Sequence, residues 1–182
     1  MTIQALILLA MPALSLKPLP LLSQHFDKFG DIISVAEARH ALGEPQLINQ
    51  GNCERYTNIA GLDIDDGAVG ISLFNAKPCD IPVTVDYLER HPLGSQAFIP
   101  MSSHPYLVII ADDLNGMPDS PKVFITDGTQ GINIRRNTWH GVLTVLHPDG
   151  GVFSVIDYVG ELPNLQEHTL EQPLTIVVDT PR

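Results

Sequence analysis

The sequence predicts a mostly β fold, a sandwich or barrel of short strands, and three observations carry that reading. Fifteen prolines and fourteen glycines interrupt the 182 residues about once every six, which leaves little room for long helices. Apolar segments rich in β-branched residues recur between turn signals at a spacing of roughly eight to twelve residues, enough for about nine or ten strands. Hydrophobic residues make up 44% of the chain and charged residues 17%, sufficient at this length for one domain around a single core.

The chain opens on MTIQALILLAMPALSL, residues 1–16, an apolar run with no Lys or Arg ahead of it. It is incomplete as an export signal and too short for a membrane span. We read it as an N-terminal apolar extension to a single domain over residues 17–182, with an added strand or a signal as the alternatives and Met11 as a second candidate start. Lys17 to Pro20 reads as a strand end. Ser23 is placed to cap a short helix through Phe29, with Leu22, Phe26 and Phe29 at helical spacing and Gly30 as its stop; His25 faces outward from it. Ser34 to Gly51 is weakly patterned, loop or short helix, and Arg55-Tyr56 opens a segment that ends near Ala60. The turn Asp63, Asp65, Asp66, Gly67 resembles a calcium loop only superficially, because the later glutamate is missing, and reads as a solvated turn.

Val69 to Phe74 and Ile81 to Tyr87 alternate as strands do, Gln96 to Met101 is a further alternating run, and Tyr106 to Ala111 is an unbroken apolar strand. Asp112 to Ser120 reads as a polar surface loop. Val123 to Thr126 is a strand, Asp127-Gly128 a hairpin-type turn and Gly131 to Arg136 a bend. Trp139 to Leu146 and Val152 to Tyr158 are strands around the turn Pro148-Asp149-Gly150-Gly151, and Pro173 to Val178 is a last edge strand.

A formal charge of −11 argues against nucleic-acid phosphates and anionic membrane surfaces as partners. A small anionic substrate would need a local cationic pocket, and with only ten Lys and Arg residues in the chain each clustered arginine is informative. Cys53 and Cys79 are widely spaced and form neither a metal-binding pair nor a disulfide framework, which fits a cytoplasmic setting.

Two polar clusters stand out. In Leu88 to Met101, LERHPLGSQAFIPM, Glu89 and His91 sit two apart and share a face of extended backbone, while Pro92 and Gly94 bend the chain before Gln96. About forty residues later, Gly131 to His140, GINIRRNTWH, brings two arginines, an indole and an imidazole to the start of an apolar strand. Two polar clusters on strands about forty residues apart suggest one pocket. Read from these residues alone, His91 beside Pro92 fits a turn cap and Glu89-Arg90 a surface pair better than a site.

At these residues the sequence resembles the ureidoglycolate lyase family of the cupin superfamily. The resemblance runs through Leu19 to Ile33, Ile48 to Ala60 with Glu54-Arg55-Tyr56, Ile71 to Pro78, YLERHPLGSQAFIPM, VFITDGTQGINIRRNTWHGVL and the strand ending at Asp157. It implies a cupin-like double-stranded β-barrel with a short N-terminal helix, a homodimer, and cleavage of ureidoglycolate to glyoxylate and urea in purine and allantoin breakdown. The chain departs from the family pattern at Asn75, where an arginine is usual, at Gly141, where a second histidine follows the first, and at Tyr158, where an arginine follows Asp157.

Ureidoglycolate carries a hydroxyl, a carboxylate and a ureido nitrogen on one carbon. Its cleavage needs a base for the hydroxyl proton, an acid for the departing nitrogen and a cation for the carboxylate. The candidates for proton transfer are His91 and His140, with Glu89 orienting an imidazole or carrying the second proton. For the carboxylate the candidates are Arg55, Arg135 and Arg136, with Arg136 preferred, since alternation on a strand turns only one of the adjacent pair inward. Gln96 and Asn137 are further candidate substrate contacts, and Trp139 a candidate wall, with a core position as its alternative. Cupin cavities bind divalent ions through histidines and a carboxylate, so His91, His140 and Gln96, beside Glu89, form a candidate ligand set for nickel or manganese. The same pocket also fits an enzyme for another small hydroxy or keto acid, or a non-enzymatic binder of small anions.

Overall fold

A computed structural model of the chain describes residues 14–178. Among these residues fifteen strands form two large sheets and one small one, accompanied by two α-helices. In the larger, eight-stranded sheet the order is β1 (Leu14–Leu16), β15 (Gln166–Ile176), β7 (Val83–Arg90), β12 (Trp139–His140), β9 (Tyr106–Leu114), β10 (Met117–Ile125) and β2 (Leu19–Pro20), with β13 (Thr144–Val145) pairing onto β9. The five-stranded sheet runs β3 (Gly30–Ile33), β11 (Gly131–Ile134), β8 (Gln96–Pro100), β14 (Gly151–Val159) and β6 (Ala68–Ala76). A separate hairpin joins β4 (Gln46–Ile48) to β5 (Cys53–Arg55). The mostly β, double-stranded barrel expectation is borne out.

Strand β9 explains the architecture. Its sequence YLVIIA is buried on both faces, which is why it reads as an unbroken apolar run rather than an alternation. Tyr106, Val108 and Ile110 pack against Phe98, Ile132, Ile134, Phe153 and Val155 of the five-stranded sheet. Leu107, Ile109 and Ala111 face the other way and pack with Val83, Val85, Trp139, Leu174 and Ile176. That second face is enclosed because the large sheet curls until β10 and β15, with three strands between them in its order, approach each other. Two apolar clusters, rather than the one core expected, therefore flank the central strand.

Several expectations are corrected. Of the N-terminal extension, residues 1–13 lie outside the described residues, while Leu14–Leu16 pair in parallel with Leu174–Ile176. The first helix, α1 (Ser23–Phe26), stops after four residues, and Leu22 stands outside it, 42% exposed. Gly30 begins β3 and lies so close to β11 that a Cβ there would sit 2.1 Å from the Asn133 carbonyl oxygen. The weakly patterned stretch after Ser34 holds a true helix, α2 (Val35–Leu42), whose first turn is closed by the Glu37 amide donating to Ser34 Oγ at 3.1 Å. Asp112 to Ser120 is no loop but the β9–β10 hairpin, turned at Asn115-Gly116 with both residues at positive φ, 55° and 84°. The bend at Gly131 is an interior strand, bonded to β3 and β8. The last strand lies between β1 and β7 rather than at an edge.

Candidate functional site

Strands β7 and β12 pair with Glu89 opposite His140. Because neighbours on a strand face opposite ways, Glu89 and His140 point together toward the five-stranded sheet, and Arg90 and Trp139 point away. His91 follows one residue after β7 ends and stays on the Glu89 side. Its ring centroid lies 5.2 Å from that of His140. Glu89 Oε1 is 3.7 Å from His140 Nε2 and 4.0 Å from His91 Nε2. Around them a cavity of about 530 Å³ is lined by Phe74, Asn75 and Ala76 of β6, Gln96 and Phe98 of β8, Gly141 to Leu143, and Leu165.

Both imidazoles are fixed in the same sense. His91 Nδ1 lies 2.6 Å from the Asn164 carbonyl and His140 Nδ1 lies 2.8 Å from the Thr138 carbonyl. A carbonyl only accepts, so each Nδ1 carries the proton and each Nε2 presents a lone pair. Both Nε2 atoms are buried without a hydrogen-bond partner, as is Gln96 Oε1. The Gln96 amide nitrogen donates to Asp157 Oδ2 at 3.1 Å, which fixes which end of the amide is left free.

Burial sets the charge state. The His140 ring is pushed down from 6.5 to about 4, first by desolvation and then by the neighbouring His91, against the Thr138 hydrogen bond. Glu89 is pushed up, chiefly by desolvation and further by Glu167, against the pull of His91. A neutral imidazole and a buried carboxyl make a good ligand pair and a poor ion pair.

Donor atoms of Glu89, His91 and His140 all lie within 4.8 Å of one another. Atoms each bound at about 2 Å to one ion would lie within about 4 Å of each other, so the three residues fit a divalent metal after small side-chain adjustments. Two orphaned imidazole lone pairs facing a carboxylate, with nothing donating between them, are the observation that carries the fit. Gln96, the third expected ligand, lines the same cavity with its Oε1 free, and Glu89 completes the group of close donors.

The other sequence candidates lie elsewhere. Arg135 and Arg136 follow the end of β11, where the chain turns through Asn137 at φ 66°, so strand alternation no longer applies to them. Both line an outer pocket with Asp31, Asp63, Asp65 and Asn137. Arg136 Nη1 lies 2.8 Å from Asp65 and its Nε 3.1 Å from Asp63, so the acidic turn read as solvated is an arginine's counterion. Arg55 is exposed on β5, away from the cavity. Trp139 is 3% exposed and packs with the second apolar cluster. Asn137 reaches the site through its backbone only, its amide donating to the His91 carbonyl at 3.0 Å. Among the described residues no Lys or Arg lines the cavity.

Asn164 and Asp157 hold candidate site residues in place, and sequence reasoning missed both. The Asn164 carbonyl holds His91 and its side chain accepts from the Leu93 amide at 2.7 Å, a clamp formed across more than seventy residues of chain. No local pattern marks it. Of the three departures, Asn75 and Gly141 line the cavity. A side chain at 141 would meet Ile109 Cβ at 3.0 Å, so the glycine lets the chain pass close over β9. Tyr158 instead packs against Gly67, Gly94 and Gly160.

Residues 13–177 match the ureidoglycolate lyase family. The ureidoglycolate lyase of Rhodobacter capsulatus is 45% identical over 159 residues, 86% of this chain and 94% of that protein. Ureidoglycolate lyase 2 of Rhizobium meliloti is 42% identical over the same length, covering 86% and 94%. A ureidoglycolate lyase of Rhizobium etli is 40% identical over 165 residues, 90% and 95% of the two chains. With matches that span nearly the whole of both partners, this chain belongs to the ureidoglycolate lyase family.

Proposed function

We propose that the chain cleaves ureidoglycolate to glyoxylate and urea in the cavity between its two sheets, with Glu89, His91 and His140 as the working groups. The convergence of three acceptor atoms on one cavity, in a chain of this family, carries the reading. The substrate is small and anionic. With no cationic side chain lining the cavity, an ion held by Glu89, His91 and His140 is the available source of positive charge for its carboxylate, and nickel or manganese suits a set of two imidazoles and a carboxylate. When bound there, such an ion would supply Lewis acidity.

The residues themselves divide the remaining work. Asn164 and Thr138 keep both Nδ1 atoms protonated and so keep both Nε2 lone pairs turned inward. Glu89 would give one carboxylate oxygen to the ion and keep the other to take the hydroxyl proton as the carbonyl forms and to return it to the nitrogen as the carbon–nitrogen bond breaks. Gln96, held by Asp157, offers its free oxygen to a urea N–H. Phe74, Phe98, Val142 and Leu165 give the cavity apolar walls.

Further parts of the reading concern the molecule as a whole. A homodimer is supported by β6, a nine-residue strand of sequence AVGISLFNA without a charged residue, paired on one side only among the described residues. Its Ile71 and Leu73 are 75% and 71% exposed, an edge that proteins rarely leave open. Free thiols at Cys53 and Cys79 agree with a cytoplasmic setting, and no described helix is long and apolar enough to cross a membrane.

The test is a continuous assay with fresh racemic ureidoglycolate, following glyoxylate, urea and ammonia separately, after chelation and after adding nickel or manganese. Enzyme-dependent glyoxylate and urea without ammonia is the expected result, restored by the ion after chelation. Background decay alone, with folded protein and added ion, would overturn it in favour of another small hydroxy acid or a binding role.

A further inference from the structure

The face of the large sheet opposite the cavity carries a second polar cluster, made by the residues next to the working groups. Arg90 follows Glu89 and Trp139 precedes His140, and the Arg90 guanidinium lies 4.4 Å from the Trp139 ring centroid. One carboxylate joins them: Asp113 Oδ2 accepts from Arg90 Nη1 at 2.7 Å and from Trp139 Nε1 at 3.0 Å. Its other oxygen accepts from the Gly116 amide at 2.9 Å, in the turn of the β9–β10 hairpin. Arg90 Nε donates in addition to Gln166 on β15 at 2.8 Å. The cluster thus ties β7, β9, β12 and β15 together directly behind the site.

Strand β12 needs such a tie. It is two residues long and is the sole link in the sheet order between β7 and β9, so few ladder hydrogen bonds hold His140 opposite Glu89. Trp139 is its only other residue, and whatever fixes the indole fixes the backbone that aims His140. We propose that Asp113, with Arg90 and Trp139, forms a positioning clamp that sets the distance between His140 and Glu89, acting on the site through backbone and touching neither substrate nor ion. The inference rests on reading Glu89, His91 and His140 as the working groups.

Asp113→Ala tests it, because a half-exposed carboxylate on a hairpin is removed without opening the core. Three quantities are read beside wild type: exchange protection of the Trp139 and His140 amides, the dissociation constant for nickel by calorimetry, and kcat and KM with ureidoglycolate. Protection at β12 should fall about 10-fold while that of Val155 holds. Nickel binding should weaken and kcat should drop by about 10-fold each, the scale seen for outer groups that orient ligands, with KM little changed. Asp113→Asn, which keeps an acceptor for the indole, should recover most of the protection, and Asp119→Ala in the same hairpin should behave as wild type. Unchanged protection at β12 in Asp113→Ala overturns the clamp, whatever the substrate. Lost protection with nickel affinity and kcat both within twofold of wild type overturns the positioning role and leaves only a structural one. A wild-type protein without lyase activity would sink the function reading alone, since protection and nickel affinity still decide the clamp.

Discussion

His140 is the residue whose chemistry owes most to its surroundings. Its ring is buried and neutral, with a pKa near 4 rather than 6.5, so in the chelated protein its imidazole resonances should show no titration between pH 8 and pH 5.5. A midpoint near 6.5 for this ring by NMR would contradict the burial argument. The stability consequence has a definite sign. Unfolding frees the ring to bind a proton, so its contribution is complete above pH 6.5 and is lost as pH falls from there through about 4. Glu89 acts oppositely: its raised value favours the fold at low pH, and that contribution fades as pH rises through the folded pKa. Glu89→Gln should therefore make stability fall more steeply on acidification, which urea unfolding at pH 7 and pH 5 would measure. Both Glu89→Gln and His91→Ala should lower kcat by about 100-fold or more, with His91 the cleaner case because it is less buried than His140. Arg136 gives a contrasting expectation. Its guanidinium is one-third exposed and already engaged by two aspartates, so Arg136→Ala should cost about 1 kcal/mol or less and leave KM within twofold in steady-state kinetics.

At the scale of elements, the sequence carried more signal than periodicity alone recovers. Ser34 and Glu37 form the Ser-x-x-Glu pattern of a helix start, and the structure uses it: Ser34 accepts the Glu37 amide while Glu37 takes the Ser23 hydroxyl at 2.8 Å. Helix α2 has an apolar face too narrow to announce itself, with Ala38 its one buried residue, so the cap is the legible part. Ser34→Ala should lower unfolding free energy by about 1 kcal/mol and leave the strands intact by circular dichroism. The Asn115-Gly116 pair is likewise a hairpin signal, obscured because the flanking residues, Asp112 and Asp113 before and Pro118 and Asp119 after, are polar or strand-averse. The large sheet tolerates them by shifting register between Asp119 and Lys122. Misreading this hairpin as surface loop also hid Asp113, and with it the support behind the site.

For the whole molecule, the exposed strand β6 is the feature that a solitary barrel leaves unexplained. Its outward residues Val69, Ile71 and Leu73 lie beside Tyr158, Ile156 and Ser154 on β14, giving an apolar band along an open edge. Two such edges can meet about a two-fold axis without bringing charges together, despite a net charge of −11. Ile71→Lys and Leu73→Asp should shift sedimentation from dimer to monomer, and the thermal midpoint should fall and lose its dependence on protein concentration. A wild-type protein that sediments as a monomer at micromolar concentration would remove this interface.

Composition and turn spacing by themselves determined the mostly β class, because strand length and turn chemistry are local properties that proline, glycine and β-branched residues set within a few positions. The pairing of Glu89 with His91 was legible for the same reason, since two residues apart on extended backbone means one face. What joins them to His140, Gln96, Asp157 and Asn164 was decided only by the tertiary structure. Sheet order is a matter of which strands hydrogen-bond across long loops, and no local pattern encodes it. The same holds for the arginines: whether Arg136 meets a substrate or a pair of aspartates depends on where the chain turns after Ile134, and that turn is fixed by the sheets on either side of it.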